Sequence, residues 1–311
     1  MNFNALSMGM TQLSPNNLIN ARNLQEFDIS FNRFTDGQAV MNLLNAHMEL
    51  RRIDISSNSF TMFSLDFFSR FRNLVHLTVG GRDPSVPTEW QSLPSILTTL
   101  RVYQIAGNIP ADAFSHLVNL VDLQFSGRGI TAINEDTFTA LTNLHSLTIF
   151  GTNLTTLDPG LFINQVNLEE LLLHNNRIEV LPENVFAPLI NLKSLDLFDN
   201  RLVRLPAHAF SQHPHLHSFD FGNNQINEIQ RGIFSRLSPI MSWIDFGFNR
   251  CISRIFRNAS NVDEIEDFQL GFNNFDGITT TTPNGCKMKF GKFEMILMIF
   301  VNILSAVFII N

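Results

Sequence analysis

Residues 168–178 read LEELLLHNNRI, and the same frame returns as LKSLDLFDNRL at 192–202 and LHSFDFGNNQI at 216–226. Positions 1, 4, 6 and 11 of the frame are apolar: Leu168, Leu171, Leu173 and Ile178, then Leu192, Leu195, Leu197 and Leu202, then Leu216, Phe219, Phe221 and Ile226. Apolar side chains at the fourth and sixth positions alternate with polar ones, the period-2 signal of a strand with one buried face. Position 9 is Asn176, Asn200 and Asn224. An asparagine where the chain leaves a strand can both donate to and accept from backbone groups that would otherwise be buried unpaired.

Outward from this stretch the frame holds phase. Motifs open at Leu24, Leu50, Leu74, Leu97, Leu120, Leu144, Leu168, Leu192, Leu216, Met241 and Ile265, which makes eleven over residues 24–276. Six phenylalanines keep the 24-residue step: Phe114, Phe138, Phe162, Phe186, Phe210 and Phe234. A fixed period of this length marks a stacked repeat architecture. No single unit can bury its apolar face alone, so stability rests on contacts between neighbours. The phenylalanines are expected to stack as one spine on the convex side. The asparagine row is Asn32, Asn58, Asn176, Asn200, Asn224, Asn249 and Asn273, broken in the middle by Arg82, Ile105, Arg128 and Thr152. Two adjacent steps there shorten to 23 residues. Ordinary drift within a tolerant repeat and a local change of curvature both fit that break.

These motifs resemble the leucine-rich repeat family, whose LxxLxLxxNxL pattern they reproduce. The LPxxxFxxLxNL stretch of residues 181–192 is similar to the longer, typical subclass found in extracellular receptors. The resemblance implies an α/β solenoid, a curved horseshoe with a parallel concave sheet and an irregular or short-helical convex side. It also implies a protein ligand or co-receptor, as for Toll-like receptors, chaoptin-like adhesion proteins and small leucine-rich proteoglycans.

The ends carry a second message. Residues 1–23 read as the back half of a further unit, with no charged, apolar leader of the secretory type. The expectation is a chain that opens inside a repeat, as a fragment of a longer receptor would, or one whose edge is covered by Met8, Met10 and Leu13. Residues 277–294 read as a linker and 295–311 as an apolar tail broken only by Asn302, Ser305 and the final Asn311. The small triplet Asn284, Gly285 and Cys286, a spacer from Lys287 to Glu294 and the tail follow the layout of a GPI-attachment signal, with Asn284 the lipid-attachment candidate. A short transmembrane helix and a tail anchor with the repeats in the cytosol are the other readings, because Lys287, Lys289 and Lys292 precede the run. All three end at a membrane. Sequons at Asn153 and Asn258 are the glycosylation candidates.

A net charge of −7 and the lack of a basic stripe argue against nucleic acid as the main partner. The densest histidine run, His213 to His217, matches no zinc spacing, and no nucleophile, phosphate-loop or dinucleotide motif is present. The expectations are therefore no enzyme activity, no metal, no cofactor and no small-molecule substrate. Side chains at positions 2, 3, 5, 7 and 8 should leave the concave face. Aromatics among acids there are the candidate anchors: Phe198, Asp220, Trp243, Asp245, Phe248 and Phe272. Phe31, Tyr103 and Phe150 lie on the same face by register. The sequence is thus read as a membrane-attached protein that binds a protein ligand at the cell surface. The alternatives are a tail-anchored intracellular scaffold and a receptor fragment.

Overall fold

The computed structural model describes residues 1–249 apart from 19, 22, 61–63, 82–88, 207–209, 211, 227 and 230–241, and beyond these only the strands within 255–257, 278–281 and 287–290. Strands form where positions 3 to 5 of the motif fall. In chain order they are β1 (Asn2–Asn4), β2 (Glu26–Asp28), β3 (Arg52–Asp54), β4 (His76–Gly80), β5 (Thr99–Tyr103), β6 (Asp122–Ser126) and β7 (Ser146–Phe150). They continue as β8 (Glu170–Leu172), β9 (Ser194–Asp196), β10 (Arg204–Leu205), β11 (Ser218–Asp220), β12 (Glu228–Ile229), β13 (Trp243–Asp245), β14 (Ile255–Arg257), β15 (Ile278–Thr281) and β16 (Lys287–Phe290).

One twelve-stranded sheet runs β1 through β9, then β11, β13 and β14. Its strands pair in parallel from β1 to β13, so equivalent motif positions face one another: Leu147 opposite Leu171, Leu171 opposite Leu195. β14 breaks the rule by pairing antiparallel to β13, with Asp245 opposite Ile255. The eleventh motif, opened at Ile265, lies outside the described residues. Within the stretch read as a linker, β15 and β16 pair antiparallel. β10 and β12 make a separate parallel pair on the return path. Among the described residues there is one α-helix, Gly37–Leu44, between β2 and β3; Asp36 caps it by accepting the Ala39 N–H at 2.9 Å. The remaining helical turns among the described residues are short 3₁₀ segments. This is the parallel-sheet solenoid with few helices that the repeat frame calls for.

The core follows the frame residue by residue. Leu168, Leu171, Leu173 and Ile178 are fully buried, as are their counterparts in the neighbouring turns. Phe114, Phe138, Phe162, Phe186 and Phe210 are buried and stack in sequence, with ring centroids 6.3, 6.4, 6.3 and 6.1 Å apart. Each such pair adds about 0.5–1.5 kcal/mol beyond its area burial, so the spine ties these five turns together. Phe234 lies outside the described residues. Residues 1–23 form a turn in register with the rest: Phe3 sits opposite Phe27, and the N–H groups of Met8 and Met10 donate to Oδ1 of Asn32.

From β2 to β13 of the large sheet, strand length follows the asparagine row. Nδ2 of Asn224 donates to the carbonyls of Leu197 and Phe221 at 2.9 and 3.1 Å, and its Oδ1 accepts the Leu202 N–H at 3.0 Å. Asn32, Asn58, Asn176, Asn200 and Asn249 likewise donate to the position-6 carbonyl of their own turn. The six strands that precede these asparagines have three residues each, β2, β3, β8, β9, β11 and β13. The four that precede Arg82, Ile105, Arg128 and Thr152, β4 to β7, have five. In these four turns the strands run two residues further, to position 7, and pairing reaches that position between β4 and β5 and between β6 and β7.

Between the turns of Ile105 and Arg128 a close backbone approach fills the gap. The Gly129 N–H reaches the Ile105 carbonyl at 3.3 Å. Gly127 has φ +154°, and a Cβ on it would lie 2.1 Å from that carbonyl oxygen, so only glycine fits this approach.

Candidate recognition face

The concave face is built from positions 2, 3, 5, 7 and 8, and two of these have backbone duties the sequence does not announce. At position 5, one carboxylate oxygen of Asp28, Asp54, Asp196, Asp220 and Asp245 accepts the N–H of the residue two further on, at 2.9, 3.1, 2.8, 2.7 and 2.5 Å. The aspartates therefore close the strand exit, an Asx-type bond, and are more than a solvated stripe. At position 8 the backbone is left-handed: Phe31, Ser57, Gln104, Asn175, Asp199, Asn223 and Phe248 have φ between 52° and 68°. Asn, Asp and Gly tolerate this region; a bulky side chain there is an outlier. Phe31 and Phe248 are such outliers, and they are 62% and 80% exposed.

The C-terminal half of the face brings together most of the residues singled out from sequence. Asp196, Asp220 and Asp245 sit side by side on β9, β11 and β13 in strict register. Burial pushes the Asp220 carboxyl up to about 6; the neighbouring charges of Asp245 and Asp196 add to that, while the Gly222 N–H opposes it. Burial also raises Asp196. Phe198 is 37% exposed beside them, Trp243 is half-buried and Phe248 projects. Glu169, Glu170 and Asp199 extend the acidic field, and Lys193 pairs with Glu169 at 2.7 Å. Phe272 and Asn273 lie outside the described residues, as do Asn258, Asn284, Cys251 and Cys286. Asn153 is half-buried, and its side chain donates to the Arg128 carbonyl.

The N-terminal half holds a hollow of about 660 Å³. Its floor is small and polar because positions 5 and 7 of these turns carry Ser56, Thr78, Gly80 and Ser126. Phe31 closes one end, and Tyr103 and Phe150 stand at the other. Those two rings meet edge-on at 6.0 Å across Ser126, and Phe150 stacks on His174 at 5.4 Å. Arg101 lies in the floor with Nη2 2.5 Å from Asp122. Its Nε is buried and meets no acceptor. Burial raises Asp54, also in the floor. Tyr103, Phe150 and Phe31 are placed on the face by register alone; that they frame a hollow depends on the glycine and serines between them.

A second asparagine row lies along the strand entry. Nδ2 of Asn119, Asn143, Asn167 and Asn191 donates to the carbonyls of Ser95, Val118, Thr142 and Val166 at 2.9–3.0 Å. Its sequence signal is the Asn-Leu pair that opens these four successive turns at the same 24-residue step.

Among the described residues no group of His, Cys, Asp and Glu is arranged to hold a metal ion, and no helix is long and apolar enough to cross a membrane.

The register, the asparagine ladder and the phenylalanine spine are those of a leucine-rich repeat solenoid fold. More narrowly, residues 107–241 match the family model described as BspA type Leucine rich repeat region, in six copies. No curated protein matches the chain in sequence. Solved structures with the same fold include an internalin, InlF, from Listeria monocytogenes, with a TM-score of 0.61 and 17% identity over 88% of this chain and 72% of that one. Toll of Drosophila, described in complex with Spatzle, is similar at a TM-score of 0.52 and 20% identity over 78% of this chain. TLR13 in complex with ssRNA13 gives 0.56 and 23% over 75%. The chain spans only 38% of that Toll chain and 36% of that TLR13 chain. At these identities the likeness concerns the fold.

Proposed function

We propose that this protein is a recognition module that binds a protein ligand on the C-terminal half of its concave face, through a basic segment of that ligand. The observation that carries the reading is Phe248: a large apolar side chain held exposed in a left-handed conformation, beside the aligned carboxylates of Asp196, Asp220 and Asp245. Backbone strain of this kind costs about 1–2 kcal/mol and tends to persist at functional positions. An exposed aromatic amid like charges is the composition of an interface anchor for a cationic partner. The carboxylates that favour a cation repel a phosphate backbone, so the reading prefers protein over nucleic acid, although TLR13 is described with an RNA. Toll with Spatzle is a neighbour described with a protein.

The reading is tested by selecting peptides from a random displayed library on the full chain. Selected peptides should carry net positive charge, bind more weakly in high salt and lose at least tenfold in affinity on Asp220→Asn. Neutral or acidic winners, insensitive to that change, contradict it.

We further propose that the repeats are held outside the cell by a lipid anchor: residues 295–311 direct the attachment, the peptide bond after Asn284 is cut with release of 285–311, the Asn284 carboxyl takes the lipid, and Asn153 and Asn258 take glycans. The support is the sequence layout of triplet, spacer and apolar tail. Release from intact cells by a phosphatidylinositol-specific phospholipase, together with a mobility shift on glycosidase treatment, is the expected result. Retention after both treatments favours the tail-anchored reading.

A further inference from the structure

We propose that the hollow on the N-terminal half of the concave face is a subsite for a neutral hexopyranose chain. Its volume, about 660 Å³, falls in the range of small-ligand sites, roughly 300–1,000 Å³. The walls are aromatic and the floor is polar. Phe31 stands at one end and Tyr103 with Phe150 at the other. Phe31 and Tyr103 belong to turns three strand steps apart, about 14 Å at the usual strand spacing.

The chemistry of the floor selects the occupant. Each sugar hydroxyl is at once a donor and an acceptor, and the floor answers with both kinds of group. The hydroxyls of Thr78 and Ser126 serve either way, the Asp54 carboxylate accepts and the Arg101 guanidinium donates. The Arg101 side chain is 40% exposed, so its guanidinium has N–H groups open to a ligand besides the one held by Asp122. The faces of pyranose rings are lined with C–H groups, and aromatic side chains offer the flat apolar surface that such faces cover.

Two other occupants fit less well. A phosphate or an ammonium group needs a net counter-charge, but the Arg101 charge is already met by Asp122 at 2.5 Å and by Asp54 nearby. An aromatic peptide side chain needs an apolar floor, and this one carries Ser56, Thr78 and Ser126 with Asp54 and Arg101. The same outlier backbone seen at Phe248 recurs at Phe31, φ 56°, so here too a strained aromatic is kept in solvent beside polar groups. The subsite stands on residues separate from those of the C-terminal cluster, and either can fail without the other.

The test is calorimetric titration of the full chain with cellohexaose, mannohexaose and chitohexaose. At least one should bind with a 1:1 stoichiometry. Tyr103→Ala and Phe31→Asn should each weaken that binding tenfold or more, with Phe248→Asn leaving it unchanged. Phe31→Asn suits the left-handed backbone, so it reports on binding even if Tyr103→Ala disturbs folding; thermal melts of each variant separate the two effects. No binding of any of the three sugars at millimolar concentration overturns the proposal, as does affinity unchanged by Phe31→Asn. Tighter binding at this hollow of arginine amide than of all three sugars overturns it too.

Discussion

The side-chain amide of Asn200 donates to the carbonyl of Leu173, 27 residues earlier, at 2.9 Å. The same amide donates to Leu197 at 3.0 Å while its oxygen accepts the Ile178 N–H at 3.0 Å. One side chain therefore satisfies buried backbone groups of two turns. Asn200→Ala leaves those groups unpaired, at about 1–3 kcal/mol each, so a loss of roughly 3 kcal/mol or more in urea unfolding is expected. Asn200→Asp should cost at least as much at pH 7, because it aims a charged acceptor at two carbonyls. A loss below 1 kcal/mol for both contradicts the role given to the ladder.

His213 occupies a place where neighbouring turns carry leucine, and Nε2 meets the Phe186 carbonyl at 2.8 Å. Burial lowers its pKa below the ordinary 6.5. The unfolded chain therefore takes up the proton more readily, and the stability that neutral His213 contributes is complete above pH 6.5 and declines as pH falls below it. Gln165 fills the equivalent place and donates to Phe138 at 2.6 Å. His213→Gln should thus keep the bond and flatten the loss of stability between pH 6.5 and 5, measured by thermal melts across that range.

Asp220 has the opposite sign. Its folded value of about 6 lies above the ordinary 3.8, so the preference for the protonated form stabilises fully below pH 3.8 and disappears as pH rises through 6. Asp220→Asn retains an acceptor for the Gly222 N–H and removes the repulsion from Asp196 and Asp245. The variant should unfold at higher urea than the parent at pH 7.5 and at a similar concentration at pH 4. Affinity for cationic peptides should move the other way, falling at pH 7.5.

The repeat was legible because its period is physical: Leu168, Leu171 and Leu173 face inward in every turn, and Phe162 stacks on Phe138 and Phe186 at fixed steps. What the period does not carry is the consequence of its own irregularity. The change from Asn176 to Thr152 at position 9 reads equally as drift or as a change of curvature, and neither reading tells that the strands of that region run five residues and not three. The duty of position 5 was hidden as well, since Asp220 looks equally suited to solvent and to capping Gly222. Phe31 and Phe248 could be placed on the face by register, but the left-handed backbone that strains them follows from the turn geometry and not from residue type. The hollow between Phe31 and Tyr103 is a property of the small residues between, which carry no motif of their own.

Phe248→Asn separates stability from recognition most sharply. Asparagine tolerates the left-handed region, so the variant should unfold about 1 kcal/mol harder than the parent. If Phe248 is the anchor of the recognition face, the same variant should lose at least tenfold in affinity for the basic peptides selected on the parent protein. Gain in stability with loss of binding is the predicted result. A variant that is destabilised by several kcal/mol, as a core aromatic would be, or one that binds those peptides as well as the parent, contradicts it.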